Sequence, residues 1–188
     1  GPGILVLTEV VHFFESIGTR DVTIRNNSFE HVNYGAAMGP GALCAMAYLK
    51  DFAYPPKPGV HRNVVFEGNT IRDTDHSGIF VTGVDGITIR KNRIEGASDS
   101  PTADTGPSAI DVMSSRGIRI EGNSVDLAKQ GKGAKQCLTF GPFAEQDAAI
   151  RPSPVVTKSV ITMWPACSPP RLMMPQNTTG TFTQPPFM

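Results

Sequence analysis

The chain of 188 residues is defined first by what it has little of. It has no long apolar run able to span a bilayer, which argues against membrane insertion. Its formal net charge is zero, with 17 Lys and Arg against 17 Asp and Glu, so the basic footprint of a nucleic-acid binder is missing. Cys44, Cys137 and Cys167 are odd in number and lack metal-ligand spacing, so neither a disulfide framework nor a zinc site is indicated. From Pro142 onward a period of two or of 3.6 is also missing. Gly and Pro are plentiful, as a turn-rich chain requires.

What is present is repetition. Ser77-Gly78-Ile79-Phe80-Val81 followed by Asp85-Gly86-Ile87-Thr88-Ile89-Arg90-Lys91-Asn92 returns as Ser108-Ala109-Ile110-Asp111-Val112 followed by Arg116-Gly117-Ile118-Arg119-Ile120-Glu121-Gly122-Asn123. Residues 64–71 and 22–29 are two further copies of the second half. Asn27, Asn69, Asn92 and Asn123 then share one column. Val22, Val64, Ile87 and Ile118 share a second, and Ile24, Phe66, Ile89 and Ile120 a third. Residues two apart face one side of a strand, so both apolar columns point into one core. Asn tolerates a left-handed backbone and bonds through its amide, which predicts asparagines stacked inside a turn. A fixed internal period signals a solenoid.

Taken in order, the chain opens on the apolar runs 4–7 and 10–14. Counting back from Asn27 without gaps places Phe14 opposite Ile79 and Ile110, in a first strand that Glu15 extends outward. An apolar opening is a poor solenoid cap, so the chain reads as a piece of a longer helix. Residues 42–46 align as the first strand of the next rung, with a short helix over residues 41–50 as the alternative that their Ala, Leu and Met content allows. Residues 48–61, with their Pro run, and residues 96–107 are loop insertions. Rungs extend to about residue 140, with 137–140 as a partial last one. Residues 141–188 read as a Pro-rich irregular or disordered tail.

The strand–corner–strand–Asn pattern over residues 4–126 resembles the right-handed parallel β-helix repeats of the pectate-lyase-like superfamily, and residues 61–71 resemble those of bacterial β-helical proteins acting on carbohydrates, including the β-helical α-galactosidases. The resemblance implies an all-β fold, a right-handed parallel β-helix, and a carbohydrate partner. It implies a secreted, cell-surface or periplasmic location. The polygalacturonase signature and the acidic calcium cluster of pectate lyases are not recognisable, so no catalytic residue carries over by motif.

The site is therefore argued from geometry. Cys44, Phe80 and Asp111 form an outward column on the first strands, walled by both insertions. Glycoside hydrolysis needs two carboxyls, about 5–5.5 Å apart for retention and about 6.5–9.5 Å for inversion. Asp111 with Asp75 is the preferred pair, Asp73 the nearest substitute, and Asp104 can reach in from its loop. His76 can tune a carboxyl or bind hydroxyls, and Phe80, Tyr48 and Tyr54 can stack on sugar rings. No metal or cofactor is called for. A glycoside hydrolase is favoured over a lyase, and the alternative is a non-catalytic glycan-binding or structural β-helix segment.

Overall fold

A computed structural model describes residues 1–9, 17–34, 40–49, 55, 57–97, 108–126, 136–140, 162–163 and 171–172. Fourteen strands occur there and no helix: β1 (Ile4–Glu9), β2 (Arg20–Arg25), β3 (Ser28–Val32), β4 (Gly41–Tyr48), β5 (His61–Glu67), β6 (Thr70–Thr74), β7 (Ser77–Thr82), β8 (Val84–Arg90), β9 (Arg93–Ala97), β10 (Ser108–Met113), β11 (Arg116–Asp126), β12 (Gln136–Phe140), β13 (Thr162–Met163) and β14 (Arg171–Leu172). Every strand pairing is parallel, and each strand pairs with the strand one turn of the chain away. Three faces result. Face A stacks β1, β4, β7, β10, β12 and β14. Face B stacks β2, β5, β8 and β11, with β13 beyond, and face C stacks β3, β6 and β9. The long β11 serves both, since Arg116–Glu121 pairs with β8 and Ser124–Asp126 with β9.

The apolar columns point inward as their spacing requires. Val64, Phe66, Ile71, Ile79, Ile87, Ile89, Ile110 and Ile120 are fully buried in one continuous core. On face A, Ala42 and Ala109 flank Gly78, where a Cβ would stand 2.7 Å from Ile94 Cγ2. Small residues there let face A close onto face C. The second-strand register matches the aligned columns: Val22 lies opposite Val64, Val64 opposite Ile87, and Ile87 opposite Ile118.

The asparagines form a ladder. Asn27, Asn69 and Asn92 each donate both backbone N–H and side-chain Nδ2 to the Oδ1 of the next Asn, at 2.9–3.1 Å. The second amide hydrogen of Asn69, Asn92 and Asn123 goes to the carbonyls of Ile24, Phe66 and Ile89. Corner carbonyls inside a core need such partners. The left-handed position is not the ladder Asn itself but the residue before it: Asn26, Gly68, Lys91 and Gly122 have φ of 57°, 63°, 54° and 59°. The backbone turns there so that the Asn side chain can swing inward.

Two expectations are corrected. Ile4, not Phe14, lies in the row of Leu43, Ile79 and Ile110, and Leu5, not Glu15, extends the outward column to Cys44. Gapless counting failed because the segment between β1 and β2 is long, as is the one between β4 and β5; Phe14 and Glu15 lie outside the described residues. The cysteines also differ from the reading of composition. Cys137 is disulfide-bonded, while Cys44 is free and buried. Pairing in space is invisible in spacing along the chain.

Candidate functional site

The turn between β6 and β7 brings most of the expected polar residues to one corner, where face C passes into face A. Asp73 sits on β6 with φ of 53°, and His76 follows in the turn with φ of 67°. Non-glycine residues held left-handed are uncommon and cluster where structure over-determines them. The turn is tied to the rung before it: Asp75 N–H donates to the Val32 carbonyl at 3.2 Å, and Asn33 Nδ2 donates to the Asp75 carbonyl at 3.1 Å.

On the face C side, Asp73 is the acceptor of two neighbours. His31 Nδ1 lies 2.5 Å from Oδ2, and the Tyr34 hydroxyl donates to Oδ1 at 2.5 Å. That hydrogen bond pushes the Tyr34 phenol up to about 12, helped by partial burial and by the charges of Asp73 and Asp75. Both carboxylates therefore act on one ring. His31 and Tyr34 were not singled out from sequence, yet the signal was there. The 42-residue offset of Asn27 and Asn69 also superposes His31 on Asp73, as the pairing of Glu30 with Arg72 and Val32 with Thr74 shows.

On the face A side, Asp111 stands mid-strand on β10 and points outward as expected. Its carboxylate accepts from Ser77 Oγ at 2.5 Å and from Ser108 Oγ at 2.8 Å. Burial raises its pKa above the ordinary carboxylate value, and the two serine hydrogen bonds and a backbone bond at Ser108 oppose the rise. Desolvation disfavours the ionised form. Ser77 opens β7 directly after that turn, two residues on from Asp75, so Asp111 is tied through a hydroxyl to the strand that leaves the Asp73–His76 corner.

The outward column of face A otherwise departs from an open groove. Cys44 and Met46 are fully buried and Phe80 is 4% exposed; they form a second apolar cluster, with Leu5, Leu7, Tyr48 and Met113 packed against it. Burial pushes the Cys44 thiol up to about 12. Phe80 lies beside Asp111 in register, but its ring is packed rather than presented, because an apolar outward column on a parallel sheet gains more from cover than from water. Tyr48 is half-buried at the edge of the same cluster. Tyr54 and Asp104 lie outside the described residues. Among the described residues, no group of three or more His, Cys, Asp or Glu side chains is placed to hold a metal ion.

A buried histidine was also overlooked. His61 is fully buried, its Nδ1 accepting from the Thr19 N–H at 3.2 Å and its Nε2 donating to the Met46 carbonyl at 2.8 Å. Burial lowers its pKa, against the Met46 hydrogen bond. It is a strut between faces A and B, with no open edge for a ligand.

Comparison with known proteins bears on the fold. No curated protein matches the chain. A family model described as a right handed beta helix region matches residues 12–125, more than half of the chain, from before β2 to within one residue of the end of β11. With its parallel faces wound rung upon rung around one core, the chain belongs to the right-handed β-helix family.

Proposed function

We propose that the corner between β6 and β7 is the carbohydrate-processing site of a glycoside hydrolase. The observation that carries the reading is Asp111: a desolvated carboxyl, pKa raised by burial, joined through Ser77 to the strand that leaves the corner of two further carboxylates. A general acid for glycosidic cleavage needs such an elevated pKa. In this reading Asp111 donates a proton to the leaving oxygen, and Asp75 acts as its partner on water or on the anomeric carbon. Asp73, clamped by His31 and Tyr34, holds the turn and offers sugar hydroxyls an acceptor. His76, half-buried in the same turn, lines the approach.

The test is reducing-sugar release from a panel of poly- and oligosaccharides by the full protein and by Asp111→Asn. Loss of turnover by at least a thousandfold, with thermal melting unimpaired, is expected. Full activity in that variant ends the assignment, as does a separation of the Asp111 and Asp75 carboxyls above about 12 Å, too far to share one bond.

A second reading is a non-catalytic glycan-binding or structural segment. The packed outer cluster of face A favours it, since Phe80 offers no open ring to a sugar. Failure of the full protein to cleave any glycan in the panel supports that reading. In either case a location outside the cytoplasm, secreted or on the cell surface, accords with the disulfide at Cys137, since such bonds persist in oxidising compartments.

A further inference from the structure

The first rung is joined to the second by a buried imidazole. Among the described residues β2 pairs with β5 alone, whereas β5 is flanked by β2 and β8. Residues 17–19, which lead into β2, sit on the start of β5. The Arg62 N–H donates to the Thr19 carbonyl at 2.9 Å, and Gly18 lies so close to Val60 that a Cβ there would stand 1.5 Å from the Val60 oxygen. The outer end of the segment reaches the surface, with Ile17 75% exposed and its carbonyl accepting from Thr8 Oγ1 at 3.4 Å. Water is therefore at the edge of the joint.

His61 fixes the Thr19 end, and its partners dictate where its hydrogens are. A backbone N–H can only donate, so Nδ1, 3.2 Å from the Thr19 nitrogen, carries no hydrogen. A carbonyl can only accept, so Nε2, 2.8 Å from the Met46 oxygen, carries one. The fully buried ring is thus neutral and locked in one tautomer. Adding a proton sets an N–H at Nδ1 against the Thr19 N–H. The Thr19 hydroxyl, 3.0 Å from Nδ1, can turn and accept, but the backbone N–H cannot and loses its partner. The new cation is also buried. The neighbouring acids are engaged elsewhere: Asp21 on β2 by Asn63, Asp85 on β8 by Arg116, and Glu67 on β5 by Arg90. Arg20, Lys57 and Arg62 are exposed cations, Glu9 ends β1 in register with Tyr48, and β4 brings only the thiol of Cys44. No charge enters the balance at the ring, which sets burial against the Met46 bond.

We propose that His61 is an acid-released latch: protonation lets residues 17–19 and the leading end of β2 lift off the second rung, while the inner rungs stay wound. The outer rung gives way because β2 has a partner on one side only. Lifting returns the ring to water and uncovers the start of the β5 edge, a backbone template that pairing otherwise hides. The open population rises by up to about tenfold for each pH unit below the ordinary histidine value, which the ring regains once it is solvated. The latch does not depend on the β6–β7 corner being catalytic.

Hydrogen exchange of single amides in the full protein, at pH 7 and pH 5 and corrected for the intrinsic rate of each, reads the latch. Protection of the Thr19 and Arg62 amides is expected to fall at least tenfold at pH 5. The Gly68 and Lys91 amides, bonded between inner rungs, change less than threefold. His61→Gln offers an acceptor and a donor that do not titrate, and its Thr19 amide should change less than threefold between the two pH values. Should that variant melt early at pH 7, nitrogen NMR of the parent ring gives the reading: hydrogen on Nε2 at pH 7, and Thr19 protection lost as the ring titrates. Hydrogen on Nδ1 at pH 7, Thr19 protection unchanged at pH 5, an equal loss in a well-folded His61→Gln, or a loss spread evenly over all rungs each overturns the proposal.

Discussion

The outer surfaces of faces A and B are built on the same rungs and differ in almost everything else. Outside face A, Cys44, Met46 and Phe80 are buried in an apolar cluster, and Asp111 in the same column as Cys44 and Phe80 is half-buried and bonded to serines. Outside face B, arginines and acids stand at the surface and pair across rungs or along one strand. Inward, the two faces are alike, rows of Ile, Val, Leu and Phe with almost no exposure. The winding is thus specified by the inward residues alone, and the outward ones are free to diverge. Chemistry specific to this protein has to be sought among the latter.

The largest expected effect tests the inward half of that contrast. Ile89→Asp buries an unpartnered carboxylate in the core and costs several kcal/mol, enough to unfold the rungs. Thr88→Asp, one residue earlier and outward on face B, changes stability by less than about 0.5 kcal/mol. Paired thermal melts check both, and equal melting of the two variants would show that Ile89 does not face inward.

The next effect separates the outer faces. Phe80→Ala on face A removes a packed ring and is expected to cost about 3 kcal/mol. Val65→Ala, outward and half-buried on face B, costs about 1 kcal/mol or less. Denaturant unfolding of both distinguishes a covered face from a wet one; comparable small losses would mean that the face A cluster contributes nothing.

Smaller shifts follow from titration. The pKa of Asp111 is raised in the fold, so its contribution to stability is fully present below the ordinary carboxylate value and is lost as pH rises through the folded value. Asp111→Asn removes that loss. The melting temperature of the variant relative to the parent should therefore climb between pH 4 and pH 7. His61 runs the other way. Its pKa is lowered, so the parent loses stability as pH falls below the ordinary histidine value of about 6.5, and His61→Gln flattens that acid limb. A pH series of melts reads both slopes.

The smallest effect belongs to the paired surface of face B. Arg116→Gln removes an exposed ion pair with Asp85 and should lower the melting temperature only slightly, less in high salt. A loss well above that would mean that the outer face of B is as tightly built as that of A.

The winding could be read from sequence because its causes repeat. Aligned Val, Ile and Asn columns impose a spacing that needs no long-range information, and register follows from it. What escaped reading depends on segments that do not repeat. Phe14 was counted into the row that Ile4 occupies because the interval between β1 and β2 is longer than that between β7 and β8 or between β10 and β11, which breaks the count. Phe80 looked like an open platform because alternation says outward, and outward does not mean exposed where apolar neighbours on the same face pack together. Asp111 was found because it interrupts an apolar column, yet its serine partners, one on the neighbouring rung, went unremarked. His31 and Asp73 are 42 residues apart and meet only because rungs stack, a juxtaposition visible once the asparagine offset is applied to every residue rather than to the asparagines alone.

The asparagine ladder behaves as a ruler that counts turns instead of residues. Successive members are 42, 23 and 31 residues apart in the chain, yet each amide meets the next at the same reach and in the same sense. Donors face one end of the solenoid and acceptors the other, so a turn inserted backwards or out of step finds nothing to join. Segments of almost any length can therefore bulge from a corner without disturbing the neighbours, provided that an Asn returns to the mark. Such a scaffold can be lengthened, or can acquire a new surface loop, without relearning how to fold.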